Sequence, residues 1–249
     1  MSGIATEDDD MTKEVAAMSA PSAGSPCLVS GPSESPPSQW SFELPAVASA
    51  FDAHVREQLP FYDLATTAVS DLVRCYLQSG GTLVDIGCST GNISRACEQI
   101  ARDRRARVVN VESSSEMASR FSGYGELIIG DACEIDVPEC DVAVSFLTLA
   151  FMPPKARRRF LDGLVRKVSP GGAIIIVERV SVTTAAGVCR LLTQAAKLRS
   201  GVSPAGVLAK EVSIAGVLRP VDTSLIEGMG GWMFFAYGDF RGYVIEVPE

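Results

Sequence analysis

Between Thr82 and Arg179, five short apolar runs alternate with helical stretches, and this alternation constrains the fold more than any other feature of the 249-residue chain. The runs are Thr82 to Gly87, Arg107 to Glu112, Glu126 to Gly130, Val142 to Leu147 and Ala173 to Arg179. Between them, Asn92 to Arg102, Ser115 to Phe121 and Lys155 to Val168 carry apolar residues at helical spacing. Parallel neighbours need a crossover, and a crossover helix must bury its apolar stripe on the sheet. The pattern therefore predicts a doubly wound α/β fold with a mostly parallel sheet covered on both faces. The end of the chain differs. Trp232 to Tyr237 and Tyr243 to Val247 are aromatic and β-branched runs joined by Gly238-Asp239-Phe240-Arg241-Gly242, which is a hairpin signal. The expectation is a seven-stranded sheet finished by a C-terminal antiparallel hairpin.

Upstream of the first run, Phe51, Val55 and Leu59, then Leu64, Val69, Leu72, Val73, Tyr76 and Leu77, suit two helices interrupted at Pro60 and ended by Gly80-Gly81. Residues 1–38 are rich in Ser, Pro, Gly, Ala and Asp, with the acidic run Glu7-Asp8-Asp9-Asp10. Such a segment buries too little apolar surface to offset its ordering entropy, so it reads as a disordered tail on a single domain spanning 39–249. Its deletion is expected to leave the fold and the affinity for any ligand intact. The stretch 181–231 fits no general pattern and is expected to cover an acceptor site.

Several function classes are excluded. No apolar run reaches the roughly 20 residues of a membrane helix, and the acidic N-terminus has no signal pattern, so a cytoplasmic protein with no membrane partner is expected. The seven cysteines are scattered without a C-x-x-C pair, and His54 is the single histidine. Neither a metal site nor a histidine-based triad is expected. A formal charge of −8 argues against a broad nucleic-acid surface. Lys155 with Arg157-Arg158-Arg159, and Arg102, Arg104, Arg105 and Arg107, read as charged helix faces and ends.

The chemistry concentrates in Leu83-Val84-Asp85-Ile86-Gly87-Cys88-Ser89-Thr90-Gly91-Asn92, an apolar strand running into a Gly-x-x-x-Gly turn that opens a helix. At the carboxyl edge of a parallel sheet, glycines let the backbone approach a ligand, and the next helix offers unpaired N–H groups. Asp85 near the strand end can meet an ammonium, and Cys88 reads as a small space-filler. The turn is neither a G-x-G-x-x-G fingerprint nor a P-loop. Glu112 ends the second run about 25 residues after Gly87, where a carboxylate accepts from ribose hydroxyls. Leu127 to Ala132 end a third run in Gly130-Asp131, placed to read an adenine edge, and Pro170-Gly171-Gly172 precedes the fifth.

Together these motifs resemble the class I S-adenosylmethionine-dependent methyltransferases over roughly residues 50–180, the Rossmann-like methyltransferase fold. The closer likeness is to the carboxy-S-adenosylmethionine synthase branch, which acts in tRNA wobble-uridine modification. It is carried by Phe51-Asp52, Leu59-Pro60-Phe61-Tyr62, Asp85 to Ser89, Thr148 to Met152 and Lys210 to Leu218. The resemblance implies S-adenosyl-L-methionine as cofactor, held by Tyr62, Asp85, Gly87, Cys88, Ser89, Gly91, Glu112, Asp131, Ala132 and Phe146, with Tyr62 over the methionine end. It implies methyl transfer by direct displacement to an acceptor that is a small molecule or a tRNA. No catalytic residue is identified, with His54 and Glu178 candidates for a general base by position alone, and a homodimer stays open. The alternatives are a carboxy-S-adenosylmethionine synthase-like enzyme and a catalytically inactive cofactor-binding protein. That branch carries an arginine for the extra carboxylate just after the position matching Lys210. Here the residue is Glu211, and Phe146 replaces an expected asparagine. A carboxylate at Glu211 would repel the carboxylated cofactor, so preference for ordinary S-adenosylmethionine is expected, with Arg219 the substitute partner otherwise.

Overall fold

A computed structural model describes residues 36–249, so most of the expected tail lies outside the described residues. Near the start of the described residues Trp40 is buried, and its backbone N–H donates to the Ser213 carbonyl (2.9 Å).

Five strands, β1 (Thr82–Ile86), β2 (Arg107–Glu112), β3 (Glu126–Ile129), β4 (Cys140–Phe146) and β5 (Val168–Ser181), pair in parallel in the order 3-2-1-4-5. A two-residue strand, β6 (Val221–Asp222), pairs with the far end of β5. The hairpin strands β7 (Trp232–Tyr237) and β8 (Phe240–Glu246) complete the sheet, β8 antiparallel to β5 and β7 antiparallel to β8, so the expected seven strands gain a short eighth. Alternation along β5 divides the core. Ala173, Ile175 and Val177 face a layer with α2 (Tyr62–Tyr76) and α3 (Asn92–Arg104), while Ile174 and Ile176 face α5 (Pro154–Val165) and α8 (Thr223–Glu227). No helix among the described residues is long and apolar enough to cross a membrane.

Three local expectations are corrected. The hairpin loop is Gly238-Asp239, two residues rather than five, because Gly238 takes φ +55° and Asp239 is held from behind by Arg179 and Arg190. The helix expected over 115–121 ends after α4 (Ser115–Ala118). The chain then turns so that Phe121 and Gly123 pack against Gly91. The stretch 181–231 holds α6 (Ala186–Arg199) and α7 (Pro204–Ile214) as well as β6 and α8. Val188, Leu191, Leu208 and Val212 remain exposed on α6 and α7, so their apolar residues trace no single stripe that a helical-period reading could find.

Candidate functional site

The strand order reverses between β1 and β4, and a cavity of about 220 Å³ opens there at the carboxyl ends of the strands. This is where open α/β sheets take their ligands. α1 (Pro45–Gln58) supplies one wall and α7 another.

The floor is the turn after β1. Gly87 takes φ +67°, and a Cβ there would lie 2.5 Å from Thr148 Cγ2, so conformation and space both demand glycine. Ser89 (φ +56°) and Leu147 (φ +58°) also adopt the left-handed region and both line the cavity. Such backbone is held only where its surroundings over-determine it, commonly at ligand sites. Gly91, the other glycine of the turn, stands behind the cavity. It caps α3 at φ +91°, packed against Gly123 and Phe121, and does not line the cavity.

Asp85 is fully buried, and its Oδ2 has no hydrogen-bond partner. Burial, and next the charge of Glu112, push its carboxyl up to about 7. A buried acceptor without a donor is a costly exception in native folds and points to a donor brought by a ligand. Ser89 Oγ, Gln58 Oε1 and His54 Nε2 are likewise buried, unpartnered and on the cavity wall.

Glu112 is buried rather than a solvated strand end. Its Oε2 accepts from the Ser89 N–H and its Oε1 from the Ser114 N–H, both at 2.8 Å, tying the turn after β1 to the end of β2. Each oxygen keeps a lone pair for a hydroxyl. Glu112→Ala is expected to weaken S-adenosylhomocysteine binding by roughly ten- to a hundredfold. Two stranded amides should also lower the melting temperature of the ligand-free protein. An unaltered titration with an altered melt would assign Glu112 a purely structural role.

Asp131 and Ala132 line a second cavity of about 150 Å³ that shares Gly87, Ser113, Thr148 and Phe151 with the first. Asp131 is exposed, and its Oδ1 accepts from the Cys133 N–H at 2.8 Å. On the opposite wall, Tyr62 and Phe146 meet edge to face at 5.3 Å. Trp40, Phe42, Phe51 and Phe151 extend this aromatic side, with Trp40 stacked on His54 at 5.1 Å. Cys88 is buried there, and burial, then Asp85 and Glu112, raise its thiol, which suits a space-filler.

Four further expectations change. Glu178 is no free base, because its carboxylate accepts the N–H groups of Thr148 (2.7 Å), Leu149 (2.6 Å) and Ala150 (3.2 Å) and fixes the loop after β4. Arg219 does not line the cavity. Arg157 of the basic run is buried and donates to the Ala150, Arg219 and Pro220 carbonyls, while Arg158 and Arg102 pair along their helices with Asp162 and Glu98. Glu211 does not line the cavity. It pairs with Arg190, with Lys197 (3.0 Å) and with Arg179 (3.4 Å), and accepts from Gln194 (3.1 Å). Burial alone would raise its carboxyl, but Lys197, Gln194 and Arg190 hold it below the ordinary value. The cavity residues that sequence reasoning missed are the cations Arg179, Lys197 and Lys210 and the aromatic wall beginning at Trp40.

A family model described as a methyltransferase domain matches residues 84–176. Among curated proteins, the carboxy-S-adenosyl-L-methionine synthase of Staphylococcus epidermidis is 27% identical, over 74% of this chain and 84% of its own length. That of Shewanella sp. strain MR-7 is 25% identical, over 72% and 78%. Among solved structures, human N-acetylserotonin methyltransferase in complex with SAM aligns with a TM-score of 0.54 at 10% identity, covering 82% of this chain but 56% of that one. This chain thus spans little more than half of that neighbour. A methyltransferase from Methanococcus maripaludis aligns with a TM-score of 0.54 at 14% identity, covering 85% and 96%. The structural likenesses speak for the fold, and in sequence the chain carries a match to a methyltransferase domain over residues 84–176 and is similar to the carboxy-S-adenosyl-L-methionine synthases.

Proposed function

We propose that the paired cavities bind S-adenosylmethionine, with the methionine part at the Gly87 to Ser89 turn, the ribose at Glu112 and the adenine at Asp131-Ala132, and that the protein is a transferase using it. The observation that carries this reading is the orphaned Oδ2 of Asp85, a buried acceptor beside a turn that has no room for a side chain at Gly87. An ammonium is the donor that suits it. The cofactor supplies an electrophilic sulfonium carbon, and the protein's part in such a displacement is chiefly proximity and alignment. Gly87 leaves space, Asp85 and Glu112 orient, and Tyr62 and Phe146 exclude water from one side. His54 is neutral near pH 7, since burial, then Lys210 and Lys197, bring it down to about 4, so its unpartnered Nε2 is available as a hydrogen-bond acceptor.

A second reading, synthesis of carboxy-S-adenosylmethionine, is favoured by the names of the curated relatives. The acceptor, small molecule or tRNA, and a cytoplasmic location belong to the same proposal. Mass spectrometry of the ligand that co-purifies with the full chain separates the two sulfonium cofactors. Asp85→Ala should lose the ligand under either reading, and retention of it would overturn the assignment of the methionine end.

A further inference from the structure

His54 and Gln58 stand one turn apart on α1, and both line the cavity. His54 Nε2 and Gln58 Oε1 are buried without a hydrogen-bond partner, and Gln58 as a whole is only 7% exposed. Buried acceptors without donors are destabilising, so each such atom calls for a reason. Holding α1 in place is not that reason. Asp52 does so, accepting from Thr90 (2.6 Å), Asn92 (2.7 Å) and Arg95 (3.3 Å) at the start of α3. The stack on Trp40 at 5.1 Å sets the plane of the His54 ring. Burial, then Lys210 and Lys197, keep that ring neutral near pH 7.

The charge of a group that could meet these atoms is constrained from two sides. An anion brings only lone pairs to two acceptors. An ammonium brings donors, but it meets the cluster in which the cations Arg179, Arg190 and Lys197 stand against the two carboxylates Glu211 and Asp239, and Arg179 and Lys197 line the same cavity. An uncharged N–H or O–H group donates without either penalty. Resting on the cofactor reading above, we propose that His54 and Gln58 form a donor-reading subsite, and that the molecule it takes beside the cofactor is a small, uncharged, planar apolar compound bearing an N–H or O–H group. Trp40, Phe42, Phe51 and Phe151 supply the wall for its body. His54 and Gln58 are positioning residues here, selecting the molecule by its donor and fixing how it lies on that wall.

Trp40 is the built-in reporter, since it stacks on His54 and Trp232 is the only other tryptophan. In full-length Trp232→Phe protein saturated with S-adenosylhomocysteine, aniline and phenol should perturb Trp40 fluorescence at least about fivefold more tightly than fluorobenzene, which has their shape and no donor. His54→Phe keeps a ring against Trp40, Gln58→Met keeps the length of the side chain, and each removes one acceptor. Each should cut the preference by at least about half while keeping S-adenosylhomocysteine affinity within about threefold. Neither variant should melt below its parent, because an apolar group replaces an orphaned polar one. A purely structural pair would do the reverse, lowering the melting temperature and leaving the preference as it was. The subsite is overturned by that result, and also if neither aniline nor phenol is preferred over fluorobenzene. It is overturned equally if the variants weaken S-adenosylhomocysteine as much as the probes, because the pair would then hold the cofactor itself. Failure of the cofactor reading is separately visible, as absence of any S-adenosylhomocysteine binding.

Discussion

Glu211→Arg should lower the melting temperature by about 10 °C and leave the protein no better at binding a carboxylated cofactor. Glu211 is the shared partner of Arg179, Arg190 and Lys197, and reversal of its charge would put four cations within one half-buried cluster. Removing one member of a buried ion pair typically costs 3–5 kcal/mol, and a domain of this size loses roughly 2–4 °C per kcal/mol. Glu211→Gln, which keeps the shape and removes the charge, should destabilise by about half as much. The same contacts set a pH dependence. The carboxyl is held below its ordinary value in the folded state, so its contribution is present above the unfolded pKa of 4.5 and is lost as pH falls through the lower, folded value. Glu211→Gln should therefore flatten the acid limb of the stability curve. A stable Glu211→Arg protein with a reversed cofactor preference would mean that residue 211 does face the ligand.

The second large effect is at Gly87. Gly87→Ala forces a side chain into the left-handed region and onto Thr148, and the conformational part alone costs of order 1–3 kcal/mol. Both stability and S-adenosylhomocysteine binding should fall. Thr148→Ala in the same protein removes Cγ2 and Oγ1 from the collision, so it should recover part of the stability. It should not recover binding, because the added methyl still stands at the turn that cradles the ligand. If binding returned in step with stability, Gly87 would matter for folding alone. Thermal melts and calorimetric titrations of the single and double variants separate the two.

Much of this fold was legible in the sequence because strand and helix periods are local. Apolar runs such as Val108 to Val111 bury on both faces, and the positions of β1 to β5 follow from apolar runs. The turn from Asp85 to Ser89 was legible for the same reason, since each residue's role depends on neighbours a few positions away. What was not legible depends on distance along the chain. Nothing near Glu211 in sequence says that Arg179 and Arg190 will reach it, so its charge read as a repulsive element when it is a neutralised one. Glu178 read as a candidate base for want of knowing that three amides of the loop after β4 converge on it. Gly91 looked like part of the ligand cradle, and only the fold shows Gly123 pressed against it. The aromatic wall at Trp40 lay beside a stretch read as tail, and its burial depends on α7, more than 160 residues away.

The central claim is that Asp85, Gly87 and Glu112 form one S-adenosylmethionine site, and calorimetric titration of the full chain with S-adenosylhomocysteine tests it most directly. A single site is predicted, weakened at least about tenfold in Asp85→Ala, as expected when a charged hydrogen-bond partner worth about 1.5–3 kcal/mol is removed. Absence of binding to a well-folded protein, or an affinity that Asp85→Ala leaves unchanged, would contradict the account.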